Sequence, residues 1–309
     1  MLTGEKKERL KLALGGNVFG IRIKEDGVSV TDVKPGSTFK PGDRIYAVNG
    51  EKVSEGMEIE RIVKNSSGKP LSFDIIRGGE KLKLSATAKY EDGEYRLGVS
   101  LRSIASGIGT VTFTDPATKV FGGLGHGVCD GANGSLIPME SGMTTNVVLG
   151  GVKKGECGKP GELSGMLGKR STGSIFGNTE CGIFGTNDSF ELEECELVEI
   201  AYRDEIKEGE AEIVSSIKNG KCERYKIEIS AIDRDSTGSK SFKVKVTDPT
   251  LIAITGGIVR GMSGSPIIQD GKLVGAVTHV LVANPTEGYG IFIENMLNAA
   301  NEQILPKAA

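Results

Sequence analysis

Apolar positions along this chain recur mainly with a period of two, the mark of strands with one buried face. Gly20 to Ile23 and Gly27 to Val33 alternate in this way. Pro35 to Gly50 reads as turn, strand, turn, with Pro41-Gly42-Asp43 opening the strand and Asn49-Gly50 closing it as a tight hairpin. The period then changes. Met57, Ile59, Ile62 and Val63 lie at helical spacing, so Ser54 to Lys64 predicts a short amphipathic helix with Ser54 as its N-cap. Two more alternating stretches, Leu71 to Arg77 and Lys81 to Ala86, complete a first unit near residue 88.

The segment before this unit, residues 1–14, is charged and then apolar, a short helix or a loose lead-in. Lys89 to Tyr95 is polar and contains Gly93, which suits a boundary. Beyond it the pattern predicts strands at Arg96–Leu101, Gly109–Phe113, Asn146–Val152, Glu196–Tyr202, Ala211–Ser216, Tyr225–Ile232, Ser241–Thr247, Leu251–Val259 and Leu273–Val280. Turn clusters at Asp115-Pro116, Asn219-Gly220 and Asp235 to Gly238 separate some of them. The glycine-rich stretch Gly155 to Gly185 reads as loops, and Ile293 to Ile304 as a closing helix. Many short strands imply a mostly β chain built as a sandwich or barrel. The expected organisation is a lead-in over 1–14, one domain over 15–88 and a second over 96–309.

Composition supports this and removes several functions. A chain of 309 residues with 45 glycines and no tryptophan suits about two turn-rich domains. The net charge of −3 shows no basic face for nucleic acid. Cys129, Cys157, Cys181, Cys195 and Cys222 form no C-x-x-C pair, and Cys129, Cys157 and His126 match no zinc template, so neither metal nor cofactor is expected. No apolar run reaches the roughly 18 residues of a membrane span, and no signal peptide is read at the N-terminus.

The candidate chemistry lies in Gly261-Met262-Ser263-Gly264-Ser265-Pro266, between two apolar runs. A serine between glycines in a tight turn exposes its hydroxyl and can aim consecutive N–H groups at one developing oxyanion. A serine nucleophile needs a base that titrates near neutrality, and the chain has two histidines. His126 lies in the glycine-rich run Gly122 to Val128, and His279 in an alternating strand. The stretch Gly261 to His279 resembles the nucleophile region of trypsin-like double β-barrel serine proteases. In that likeness Thr278-His279-Val280 forms the substrate-pocket wall, which leaves His126 as the base. Met262 replaces that family's acidic residue, so activation by a new N-terminal amine is not expected.

Two further resemblances cover most of the chain. Pro-Gly-Asp-x-Ile followed by Val-Asn-Gly resembles a bacterial PDZ domain, which implies peptide binding by strand addition at the loop Val18-Phe19-Gly20-Ile21. That domain, with Gly107 to Phe113, Leu124-Gly-His126, Gly182 to Gly185 and Gly256 to Ile268 in order, resembles the stage IV sporulation protein B peptidase family. The likeness implies a His-Asp-Ser triad, with Asp248 at the aspartate position and Gly261 and Ser263 supplying the oxyanion amides. From the residues alone, Asp130 and Asp115 stay open as rivals to Asp248. The likeness also implies an extracytoplasmic protein in the intermembrane space of the forespore. Its expected partners are a PDZ peptide ligand and, as substrate, a membrane-bound regulator of an intramembrane metalloprotease, with self-cleavage besides. The competing readings are a catalytically silent PDZ scaffold and an HtrA-like quality-control protease, which carries its PDZ domain after the protease rather than before it.

Overall fold

The computed structural model describes residues 9–218 and 220–304, which divide into two compact units. Asn219 of the expected Asn219-Gly220 turn and residues 1–8 of the expected lead-in lie outside the described residues.

One unit comprises residues 23–105 and 129–141. Its sheet starts from the strand Val18–Val33, which pairs with Arg44–Val48, then Pro70–Arg77, then Glu80–Thr87, all antiparallel. Val48 faces Glu51 across the two-residue turn Asn49-Gly50, and both turn residues have positive φ, as expected for that dipeptide. The sheet closes over helix α1 (Gly56–Asn65), which buries Ile59 and Val63 against Val28, Ile45 and Phe73. The N-cap of α1 is Glu55, not Ser54; the Glu58 carboxylate reaches back to the N–H groups of Ser54 and Glu55 at 2.7 and 3.0 Å. A carboxylate suits that end because it meets the unpaired amides and the positive end of the helix dipole. Asp43 of the Pro-Gly-Asp turn is buried, clamped by Arg77 through two 2.7 Å bonds and by the Lys40 N–H.

This unit runs past the expected boundary at residue 88. Lys89–Glu91 and Glu94–Arg96 form a small hairpin, and Tyr95, Leu97, Val99 and Leu101 pack on the same core as α1. The aromatic and aliphatic alternation of Tyr95 to Leu101 therefore serves this unit.

The second unit comprises residues 9–22, 106–128 and 142–304. An antiparallel array runs through Leu197–Glu199, Lys11–Leu14, the end of Val99–Thr114, Val120–Gly123, Gly182–Asn187, Glu162–Thr179 and the part of Met139–Lys153 from residue 142 on. Beside it stands a closed six-stranded barrel in the order Gly209–Lys218, Lys221–Ser230, Phe242–Val246, Asn284–Phe292, Lys272–Leu281, Pro266–Gln269. Its interior is filled by Ile213, Ile227, Val244, Ile267, Val277 and Phe292. Helix α3 (Ile293–Ile304) packs Met296, Ala299 and Ala300 against a second apolar cluster, as its spacing predicts.

Three expectations are corrected. Residues 11–14 are a strand of this unit, with Leu12 and Ala13 buried, rather than a helix or a loose lead-in. The stretch read as loops holds the longest strand among the described residues, Glu162–Thr179. Its glycines permit close strand approach: a Cβ at Gly173 would stand 1.9 Å from the Thr186 carbonyl oxygen.

Leu251 to Val259, read as a strand, begins with helix α2 (Pro249–Thr255). Asp248 is its N-cap, with Oδ1 accepting from the N–H groups of Thr250 and Leu251 at 2.8 and 3.1 Å. Pro249 occupies the first turn, where its missing N–H costs nothing, and Gly256 ends the helix at φ +77°. Asp directly ahead of a proline-led apolar run with a glycine stop is thus a helix signal that the apolar content obscured.

Asp248→Ala is expected to lower stability by about 1 kcal/mol, while Asp248→Ser, which can still cap, should lose only a few tenths. Urea denaturation of the three chains measures this; equal losses for Ala and Ser would refute the capping role.

Candidate active site

The nucleophile turn is held from both sides. Gly261 and Gly264 take φ values of +99° and +93°, which bend the chain sharply around Ser263. Met262, between them, points into the barrel and is fully buried, so an apolar anchor stands where an acidic residue would have to be charged. On one side the barrel strand Lys272–Leu281 bonds the turn, with Gly264 N–H donating to Val277 O at 2.7 Å and Val277 N–H to Ser265 O at 2.9 Å. On the other, buried Thr110 and Thr112 donate their hydroxyls to the carbonyls of Gly261 and Gly264, each at 2.8 Å. Thr110 N–H adds a bond to Ser263 O at 2.9 Å. Ser265 is buried and donates to Ser215 Oγ at 3.2 Å, so it braces the barrel while Ser263 is the serine left partly accessible.

Among the described residues, the N–H groups of Gly261 and Ser263 have no protein acceptor. Met262 N–H, between them, is taken by Val259 O at 3.1 Å. Two free amides flanking a bonded one leave donors next to the serine oxygen, the arrangement that an oxyanion needs. The Ser263 hydroxyl itself donates to Thr278 O at 2.7 Å.

His126 follows a backbone reversal in which Leu124 and Gly125 both have positive φ. Gly125 permits a close approach, since a Cβ there would stand 2.8 Å from Thr278 Cγ2. Asn178 fixes the chain beyond the histidine, accepting from Val128 N–H at 2.8 Å and donating to Val128 O at 2.9 Å. His126 Nδ1 lies 2.9 Å from Gly127 O. A carbonyl oxygen only accepts, so Nδ1 carries the proton and Nε2 is the basic nitrogen. Burial pushes the His126 pKa below its ordinary value, and the bond to Gly127 O offsets part of that. The imidazole is therefore neutral, and a base, at neutral pH.

His279 stacks beside it, the ring centroids 4.8 Å apart and tilted by 38°. Its pKa falls to about 4, chiefly through burial, with smaller contributions from His126 and Lys240. Its Nδ1 is buried without a partner, so nothing compensates a charge on this ring. Thr278 is buried and ties its hydroxyl to Ser239 O and Tyr289 O at 2.8 and 3.2 Å, while Val280 packs against the barrel core. Thr278-His279 thus borders Ser263 directly, and the chain Ser263 hydroxyl, Thr278 carbonyl, His279 ring, His126 ring joins the predicted residues.

The three aspartates do not join them. Asp248 spends its carboxylate on the helix cap and on Lys226 N–H at 3.3 Å. Asp130 is held by Arg102 at 2.6 Å, and Asp115 caps its own turn through Ala117 N–H and Thr118. The group that fixes the His126 tautomer is the Gly127 carbonyl, so the expected role of Asp248 is corrected. The expected peptide loop is corrected too. Phe19 and Ile21 are buried inside a strand, Phe19 packs edge-on against Phe121, and Thr145 and Leu167 close over Gly20. A loop so covered offers no open amides for a carboxylate.

Sequence reasoning missed Thr110, Thr112 and Asn178. The alternation of Gly109-Thr-Val-Thr-Phe113 placed both threonines on one face, where paired hydroxyls serve a neighbouring backbone; Asn178 carries no comparable signal. Among the described residues no three or more His, Cys, Asp or Glu side chains gather as metal ligands.

Comparison with known proteins matches residues 93–297 to the family described as SpoIVB peptidase S55 and residues 17–87 to a PDZ domain. Among curated relatives, a Lactococcus lactis protein is 36% identical over 93 residues, covering 28% of this chain and 22% of the relative. A Brucella suis protein is 26% identical over 152 residues, covering 46% of this chain and 40% of the relative. Both are named "Putative zinc metalloprotease", and the chain spans well under half the length of each. Among solved structures, the PDZ domain of an SdrC-like protein from Listeria monocytogenes is 19% identical with a TM-score of 0.24, covering 26% of this chain and 90% of its own. The HtrA-type protease AlgW with decapeptide is 9% identical with a TM-score of 0.40, covering 94% of this chain and 65% of its own.

Between pH 6.5, the ordinary histidine value, and about 4, the unfolded chain binds a proton at residue 279 that the folded chain refuses. Stability from this site is complete above the upper value and is lost as the pH falls towards the lower. Thermal midpoints recorded from pH 7 to 4 should therefore fall, and His279→Phe should flatten the fall; a variant with an unchanged slope would refute the assignment.

Proposed function

We propose a serine endopeptidase mechanism for this chain, which belongs to the SpoIVB peptidase S55 family. The observation that carries the reading is Ser263 flanked by the unengaged amides of Gly261 and Ser263, with the neutral His126–His279 pair next to its hydroxyl's acceptor strand. A peptide carbonyl seated over the turn points its oxygen at the two amides. The Ser263 hydroxyl leaves Thr278 O, gives its proton to His126 Nε2 and attacks the carbonyl carbon. The tetrahedral oxyanion is held by the two N–H groups until His126 returns the proton to the leaving amine. Water, deprotonated by the same nitrogen, then releases the acyl group from Ser263. Gly127 O keeps the tautomer throughout, the part that an aspartate plays in the Ser-His-Asp triad.

The resemblance to the sporulation peptidases supports a finer reading. The substrate is a membrane-associated regulatory protein, cut outside the cytoplasm in the signalling step that leads to sigma-factor precursor processing, and the enzyme also cuts itself.

Fluorophosphonate labelling tests the chemistry. The wild-type chain should be labelled and Ser263→Ala should not; His126→Ala should label on the order of 10³-fold more slowly, as expected for a lost general base. Asp248→Asn should label within a few-fold of the wild type. Equal labelling of Ser263→Ala removes the nucleophile assignment, and an Asp248→Asn loss as deep as that of His126→Ala restores the aspartate to the triad.

A further inference from the structure

The strand Lys272–Leu281 holds a second device beside the nucleophile. Val277 pairs with Gly290 and Val280 with Gly288, so Thr278 and His279 together stand opposite Tyr289 alone. Two residues against one make a β-bulge, which re-aims side chains next to a site. At this bulge the Thr278 carbonyl accepts from the Ser263 hydroxyl at 2.7 Å, and the Thr278 hydroxyl donates to Ser239 O and Tyr289 O. Those bonds hold Ser239, and with it Lys240, alongside the bulge. The Lys240 ammonium lies over the Tyr289 ring, 5.2 Å from its centroid.

The charge at this place is unbalanced. Among the described residues the Lys240 ammonium has no hydrogen-bond or ion-pair partner, and neither nitrogen of the His279 ring has one. Apart from burial, what acts on His279 is the basic pair His126 and Lys240, with no carboxylate among them. His279 is half-buried with its Nδ1 inside, so a ligand reaches the ring at Nε2, and Lys240 is exposed. An unpaired ammonium supplies charge and an imidazole supplies a directed N–H, and together they suit a carboxylate. The direction of the substrate follows from the proposed chemistry. The nitrogen of the bond cut must take a proton from His126, so the nearest substrate N–H free to reach Thr278 O belongs to the residue that supplies the carbonyl. The acyl side of the peptide therefore runs along Thr278-His279.

We propose that Lys240 and His279 select an acidic side chain, Asp or Glu, at one of the two residues preceding the bond cut at Ser263. The side-chain carboxylate accepts from the Lys240 ammonium and from His279 Nε2–H. Lys240 is then the specificity-determining charge, and the substrate is a protein segment that carries a carboxylate on the acyl side of its cut site. The specificity rests on the serine endopeptidase reading, and it names the class of sequence that is cut.

The test uses the full chain and acetylated tetrapeptide diphenyl phosphonates, in which the Ser263 oxygen bonds to phosphorus as one phenol leaves with the proton. Glu or Gln stands at the last residue in one pair of probes and at the residue before it in a second pair, with Ala elsewhere. In one of the pairs the Glu probe should label on the order of tenfold faster than its Gln twin, the scale of one hydrogen bond to a charged group. Lys240→Glu should bring that ratio to one or below and Lys240→Arg should keep it, with thermal midpoints recording that both variants fold. The ratio is taken within each chain, so a change in overall reactivity drops out. The proposal is overturned if neither Glu probe outpaces its Gln twin, or if Lys240→Glu keeps the preference. A small uncharged fluorophosphonate run beside the probes tells two failures apart. If it labels Ser263 while Glu and Gln probes behave alike, the specificity is wrong and the serine chemistry stands; if it does not label, the chemistry is wrong and the specificity falls with it.

Discussion

Everything at the site depends on how closely the strand Val99–Thr114 can approach the nucleophile turn. A Cβ at Gly264 would stand 2.0 Å from Thr110 O and 2.5 Å from Leu124 N, so no other residue can occupy that position without moving backbone. The contact it permits brings three hydrogen bonds from Thr110 and Thr112 onto the turn's carbonyls. Those bonds engage the carbonyls of Gly261, Ser263 and Gly264, while among the described residues the N–H groups of Gly261 and Ser263 have no protein acceptor. The peptides that carry the two unengaged N–H groups are fixed through their own carbonyls, Arg260 O accepting from Leu163 N–H at 2.8 Å and Met262 O from Ser265 N–H at 2.9 Å. Leu124 N–H, bonded to Thr110 O at 3.2 Å, ties the start of the His126 reversal to that strand as well. The main chain of Thr110 thus ties the Ser263 turn to the start of the His126 reversal.

Much of this was legible in the residues. The Gly-x-Ser-Gly turn, the unlike settings of the two histidines and the alternating strands around them all follow from local chemistry. What was not legible concerns partners distant in sequence. Asp248 sits at the spacing of a triad aspartate, but an Asp-Pro followed by an apolar run also writes a helix start, and locally that bond is available at once. The carboxylate accepts from three backbone amides within its reach, Lys226 included, and makes no bond to either ring. Glycine misled in the opposite direction. In Glu162–Thr179 it marks not turns but strands packed too closely for side chains, a distinction that depends on the neighbouring strand and not on the stretch itself. At Val18 to Ile21 the motif's own apolar residues, Phe19 and Ile21, were drawn into a core.

The electrostatics of the imidazole pair bear on the proposed base, which has no carboxylate bonded to it. A carboxylate beside His126 would raise its pKa and favour the imidazolium. Here burial acts in the other direction on both rings, and each would repel a charge on the other at 4.8 Å. Both therefore stay neutral, and the ring that can accept a proton is the one whose Nδ1–H has a carbonyl to hold it. His126 has Gly127 O; the Nδ1 of His279 has no partner at all. A proton arriving at the pair is consequently better held on His126 than on His279, which supports the proposal of His126 as the base. The bond from Ser263 to Thr278 O fits the same logic: the hydroxyl donates to a neutral carbonyl and to no charged acceptor.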